Sequence, residues 1–294
     1  MSDKMADPAG GRRAVPSEVM APAVEVVRRL TEAAAQLPER FGRQPAPSSK
    51  AMEELKADRV FARRSTWSEP ARDTHALGAV AILAASDGLR SYACLFDCEH
   101  PPGFTHLVVA QMVLQASVVA AWLNEPSIPL DERVRRGLVE RLHMGSRQAV
   151  GDPAGVGTDT PVERFKTVGA TLRWPVLTGR GSDDIAVGDT KRPTIEEGAI
   201  LLLSNRSGTA GSGAIRTSVQ EILRGSWYSL DPALESPPID GADRSRQVLG
   251  QAGCLIRLYL AATENQVELM GWESTDWRAA ADAARQLGEE LAPG

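Results

Sequence analysis

Residues 106–150 read HLVVAQMVLQASVVAAWLNEPSIPLDERVRRGLVERLHMGSRQAV, and this stretch decides the fold class. Its first part is the most apolar run in the chain. Val109, Val113, Ala116, Ala120 and Leu123 recur at alternating spacings of four and three, which is one face of a helix. Leu107, Val108, Met112, Leu114, Val118 and Val119 add apolar groups on the flanks, the pattern of a helix buried on most sides. A bilayer span needs about 20 mostly apolar residues, and Gln111, Gln115 and Ser117 would sit inside it. The run therefore reads as a core helix, not a membrane segment. Pro126 and Pro129 stop it near Leu123. Pro129, Asp131 and Glu132 suit the positive end of a second helix, whose buried stripe is Val134, Leu138 and Leu142. The short linker makes the two helices antiparallel neighbours.

Working outward, residues 1–18 are polar and carry Gly and Pro, and they read as a disordered tail. Pro22 opens a helix that runs to about Leu37. Ser48 or Ser49 caps a short one carrying Met52, Leu55 and Val60. Asp73 or Thr74 caps the next, with Leu77, Val80, Ile82 and Leu83 apolar and Gly88 as a break. Residues 160–163 (TPVE) and 194–197 (TIEE) are capping boxes. A helix holding Ile215, Val219, Ile222 and Leu223 follows, then a long one with Val248, Ala252, Leu255, Tyr259 and Ala262 inward. Ser274 caps the last, with Trp277, Ala281, Ala284 and Leu287 inward. Residues 168–174 are the nearest approach to a strand. The expectation is an all-α, multi-helix bundle around an antiparallel central helix pair. It places a single helical domain over residues 19–294, with the loop at 177–192 as the place for any subdivision.

Composition narrows the function. Aromatic residues are 5% of 294, low for a β-rich protein, and the net charge of −5 argues against nucleic acid as the partner of the whole molecule. Cys94, Cys98 and Cys254 are too few, and odd in number, for an extracellular disulfide scaffold. The first residues lack an apolar core with a cleavage site, so the expected compartment is the cytoplasm.

Four groupings invite a chemical reading. Cys94, Cys98, His100 and His106 offer sulfur and nitrogen ligands of the kind zinc takes, although the spacing matches no standard site and buried cysteine often has no ligand role. No cofactor is expected; zinc at these residues is the metal the sequence would allow. Gln111 and Gln115, one helical turn apart, either line a polar pocket between helices or are satisfied in place. Arg133, Arg136, His143 and Arg147 form a basic face for a phosphate, an acidic partner or water, with Glu132 and Arg136 spaced for an ion pair. The loop at 207–213 precedes a helix, but Ala214, Ile215 and Arg216 follow where a phosphate loop needs Lys and Ser or Thr, so it reads as a linker. There is no Gly-x-Ser-x-Gly turn and no His-Glu-x-x-His helix. His75 and His143 could each partner a distant acid, and the tryptophans either wall a pocket or fill helix junctions.

The segments AWLNEP at 121–126, ERVRRG at 132–137 and ERL at 140–142 resemble a loose group of uncharacterised bacterial helical proteins. LRGSWYSL at 223–230 is similar to their second helical landmark, but lacks the histidine often found there. The group is similar to HEPN-type helical bundles, some of which are ribonucleases of defence or toxin systems. Their signature is Arg, four to six residues, then His. Arg136 and His143 fit its upper limit, with Gly137 where the family usually has a polar residue. The resemblance implies a helical bundle; it carries nuclease chemistry over to Arg136 and His143 alone.

Two functions follow as expectations. One is a non-catalytic binding or interaction module of HEPN-like architecture, with a protein partner or a second copy of itself. The other is an enzyme acting on a small molecule in a pocket near Gln111, Gln115 and the Cys/His cluster. The first predicts an exposed apolar patch, the second a closed cavity with converging polar groups.

Overall fold

The computed structural model describes residues 17–96, 105–151, 161–178, 185–207, 216–224 and 241–291. It is an all-α bundle with one very small sheet. The helices are α1 (Ser17–Arg40), α2 (Lys50–Ala62), α3 (Pro70–Cys94), α4 (Thr105–Leu123), α5 (Leu130–Gly151), α6 (Pro161–Thr171), α7 (Ile195–Ser207), α8 (216–224), α9 (Gly241–Met270) and α10 (Thr275–Glu290).

Local chemistry sets several of these boundaries as expected. Ser49 accepts from the Met52 N–H at 3.2 Å to open α2, and Ser274 accepts from Trp277 to open α10. Thr194 and Glu197 form the reciprocal capping box before α7. Pro161 stands first in α6. The inward stripes of α9 and α10 are buried at every position the spacing named. At the end of α9, Trp272 N–H reaches back to the Val267 carbonyl while Gly271 takes φ +66°. A Cβ on Gly271 would also lie 2.9 Å from that of Ser49, so glycine is required twice over.

Other boundaries differ from the sequence reading. α1 starts at Ser17, ahead of Pro22, because Met20 is drawn into the core and a proline this near the start removes only one helical hydrogen bond. Gly88 does not break α3. It lets α4 approach closely: a Cβ there would fall 2.8 Å from a Val113 methyl. Gly78 likewise meets Asn124, so α3 and α4 run antiparallel along their length. The main neighbour of α4 is thus α3, whereas α4 and α5 touch little. α4 is the one helix among the described residues long and apolar enough to cross a membrane, and 61% of that stretch is buried inside the protein.

Among the described residues, two apolar cores result. The larger joins α1, α3, α4, α7, α8, α9 and α10. The smaller is built on α5, where Val134, Leu138 and Leu142 meet Phe61, Trp67, Val168, Ile185 and Val187. The last two belong to a stretch read as loop. It holds β1 (Val176–Leu177), β2 (Ala186–Val187) and β3 (Thr190–Lys191), antiparallel in that order, with Val176 opposite Val187 and Val187 opposite Thr190. Strands this short show no periodicity, and two buried residues, Ile185 and Val187, anchor them. Residues 168–171 are helical, not extended.

Candidate functional site

A group of buried charged side chains gathers at the seam between the two cores. α2 turns Ala51, Glu54, Asp58 and Phe61 inward, a stripe at spacings of three, four and three that carries two acids. Glu54 is 2% exposed. Its Oε2 lies 2.8 Å from His75 Nε2 on α3 and 2.7 Å from Arg133 Nε on α5. Arg133 is wholly enclosed, and its two terminal nitrogens donate to the carbonyls of Leu123 and Glu125 at 2.6 and 2.7 Å. Arg133 therefore closes the C-terminal end of α4, where carbonyls lack helical partners and the helix dipole is negative.

Arg136 extends the same cap. It donates to the Trp122 carbonyl at 2.6 Å and to Glu125 at 2.7 Å, pairs with Glu132 at 3.0 Å and lies over the Trp122 ring. Glu132 also accepts from Thr190, which fastens the small sheet to α5. Asp58 accepts from the backbone N–H groups of Ala71 and Arg72 and so caps α3 from another helix.

These contacts govern protonation. Burial raises Glu54, but the hydrogen bond from His75 and the charge of Arg133 leave it below the usual carboxylate range. Burial lowers Arg133, opposed by Glu54. Burial raises Asp58 and outweighs its two backbone N–H donors. Glu132 ends lowered, since the bond from Thr190 and the two arginines outweigh burial. Glu54 Oε1 and Asn124 Nδ2 are buried without hydrogen-bond partners. With Glu54 and Arg133 both enclosed, the cluster can clamp four chain segments together, but a substrate has no approach to it in this conformation.

The residues singled out in the sequence thus separate. Arg133 is not part of a solvated basic face; it points into the protein, and Arg136 is mostly covered and held by three acceptors. His143 is buried on α5, and the side chain of Arg147 lies outside the described residues. Gln111 and Gln115 are half-buried on α4. Cys94 is exposed at the end of α3, while His106 is buried against the rings of Tyr92 and Phe96. Cys98 and His100 lie outside the described residues, as do the loop at 208–213 and residues 225–230 of the second landmark. Among the described residues, no three His, Cys, Asp or Glu side chains converge as metal ligands. Among the described residues, a cavity of about 10 Å³ lies between α1, α3 and α9 with an apolar lining that includes Met20, Leu89 and Ile256. That is room for about one water, and neither glutamine lines it. His75 does partner a distant acid. Glu54 and Asp58 were missed, although their place on the Ala51–Phe61 stripe was a readable signal.

The outer side of α3 is of the opposite character. Glu69, Arg72, Ala76, Val80, Leu83, Asp87, Arg90 and Cys94 are all exposed and follow one helical stripe. Val80 is 61% and Leu83 56% exposed at its middle; on neighbouring α4, Met112 is 59% exposed.

Fold and site together define a class: a helical bundle in which a buried charge cluster joins a large core to a small one. Within that class no particular family or protein is reached, because comparison with protein-family models, with curated proteins and with solved structures finds no match.

Proposed function

We propose that this chain is a non-catalytic interaction module of HEPN-like helical architecture that docks a protein through the outer face of α3. The carrying observation is the pair Val80 and Leu83, exposed side by side in the middle of a charged stripe. Single exposed apolar residues are ordinary, but a grouped apolar centre with a polar rim is what an interface presents. The inward-facing arginines support the same reading, since Arg133 and Arg136 serve to hold helices together. The HEPN-like element rests on the spacing of Arg136 and His143 and on the helical bundle.

The test is a photo-crosslinking residue placed at Val80, with a control at Arg285 on α10, in the cells that make the protein. Discrete protein adducts from position 80 alone, lost on Leu83→Asp, are expected. Equal labelling from both positions, or none from position 80, overturns the proposal.

A further inference from the structure

We infer that the Glu54–Arg133 pair is a latch between the two cores: once Glu54 is protonated, α5, α6 and the small sheet part from α2 and α3 while the larger core stays folded. This goes beyond the docking reading and does not depend on it. The two cores share no residue. Across the seam between them, Arg133 of α5 and His75 of α3 both reach the Glu54 carboxylate of α2, and Arg141 of α5 lies 3.8 Å from Asp73 of α3. Among the described residues the buried carboxylates are Glu54, Asp58 and Glu140, on α2 and α5; the helices of the larger core bury none. Apolar burial is indifferent to protonation, so acid acts first where carboxylates are enclosed, on the α2 and α5 side.

The groups around Glu54 set the sign of the effect. His75 faces it from α3 and Arg133 from α5, and Asp58 follows one turn on along the same stripe of α2. α9 also packs on α2; the charged residues toward that end of it are Glu264, which pairs with Arg285, and Glu268, which is exposed. Arg133 is faced in turn by Arg136 and Glu125. With Glu54 ionised, the enclosed guanidinium has a counter-ion. With Glu54 protonated, it keeps the carbonyls of Leu123 and Glu125, but the nearest other carboxylate, that of Glu125, is already held by Arg136. An enclosed charge without a partner regains its solvation only by opening to water, which here means parting α5 from α2 and α3. Burial raises Glu54, but the His75 bond and the Arg133 charge outweigh it, so the latch holds at neutral pH and yields below about pH 4.

Hydrogen exchange of the purified full chain tests the inference, read peptide by peptide as protection relative to the intrinsic rate at each pH. From about pH 7 to about pH 3.5, protection at α5 and α6 should fall on the order of a hundredfold, while that at α9 and α10 changes less than about threefold. Glu54→Gln removes the charge without acid. It should show the same contrast between α5–α6 and α9–α10 at about pH 7, and little further loss at α5 and α6 on acidification. Three results overturn the inference: α5, α6, α9 and α10 losing protection together, α5 and α6 losing none in acid, or Glu54→Gln protected like wild type at α5 and α6 at neutral pH. If Glu54→Gln does not fold, the acid series on the wild type decides by the first two results alone.

Discussion

Arg133 shows how much one side chain can hold in place. Moving a guanidinium out of water costs several kcal/mol, and the cost is offset only where partners surround it. Here the partners are Glu54 and the carbonyls of Leu123 and Glu125, which belong to two other segments of the chain. Removing Glu54 leaves the Arg133 charge enclosed without a counter-ion, and removing Arg133 leaves Glu54 enclosed with only His75 beside it. Arg133→Met is therefore expected to lower stability by about 3–5 kcal/mol in urea denaturation. Glu54→Met combined with Arg133→Met should recover part of that loss, because no lone charge remains. Recovery should be incomplete, since the α4 carbonyls also lose their donors. Full additivity of the two single changes would show that the residues do not act as a pair. The neighbouring small residues serve the same seam: a Cβ on Gly137 would lie 2.0 Å from Thr74 Oγ1, so α5 can approach α3 only with glycine there.

At the level of elements, α3 has Pro70 and Asp73 in its first turn but no cap of its own. Glu69 precedes it with no side-chain cap, and Asp58 of α2 supplies the acceptor from outside. The first turn of α3 is thus fixed by how α2 packs on it. Asp58→Ala should cost about 0.5–2 kcal/mol, the usual range for losing an N-cap. Hydrogen exchange is expected to speed up at Ala71 and Arg72, and much less in the middle of α3. Unchanged exchange at those two amides would show that the cap contributes nothing. The placement of Asp58 on an inward stripe was legible; the amides it would meet were not, because a cap normally precedes its helix in sequence.

For the molecule as a whole, the seam makes stability depend on acid. Glu54 and Glu132 titrate lower in the fold than in the unfolded chain, where a Glu titrates near about 4.3. Their contribution is complete above that value and is lost as pH falls through their depressed folded values. Asp58 is shifted the other way, so its protonation on acidification returns part of the loss. The net expectation is a fall in unfolding free energy below about pH 4, measured by urea titration at several pH values. Glu54→Gln should be less stable at neutral pH yet lose less on acidification. An acid slope equal to that of wild type would remove Glu54 from this account.

Sequence alone determined the helical class, the mostly buried character of α4, the inward stripes of α9 and α10 and the caps at Thr194 and Ser274, and it narrowed the α2 cap to Ser48 or Ser49. Each depends on residues within a turn or two of one another, where spacing and side-chain chemistry act directly. The tertiary structure decided that α4 lies along α3, that residues 186–191 form a hairpin of a small sheet, and that Arg133 turns inward while Val80 and Leu83 stay outside. Periodicity says which residues share a face, but it does not say which neighbour that face will find. A charged side chain is buried only where distant segments bring it partners, and an apolar one stays exposed where none covers it.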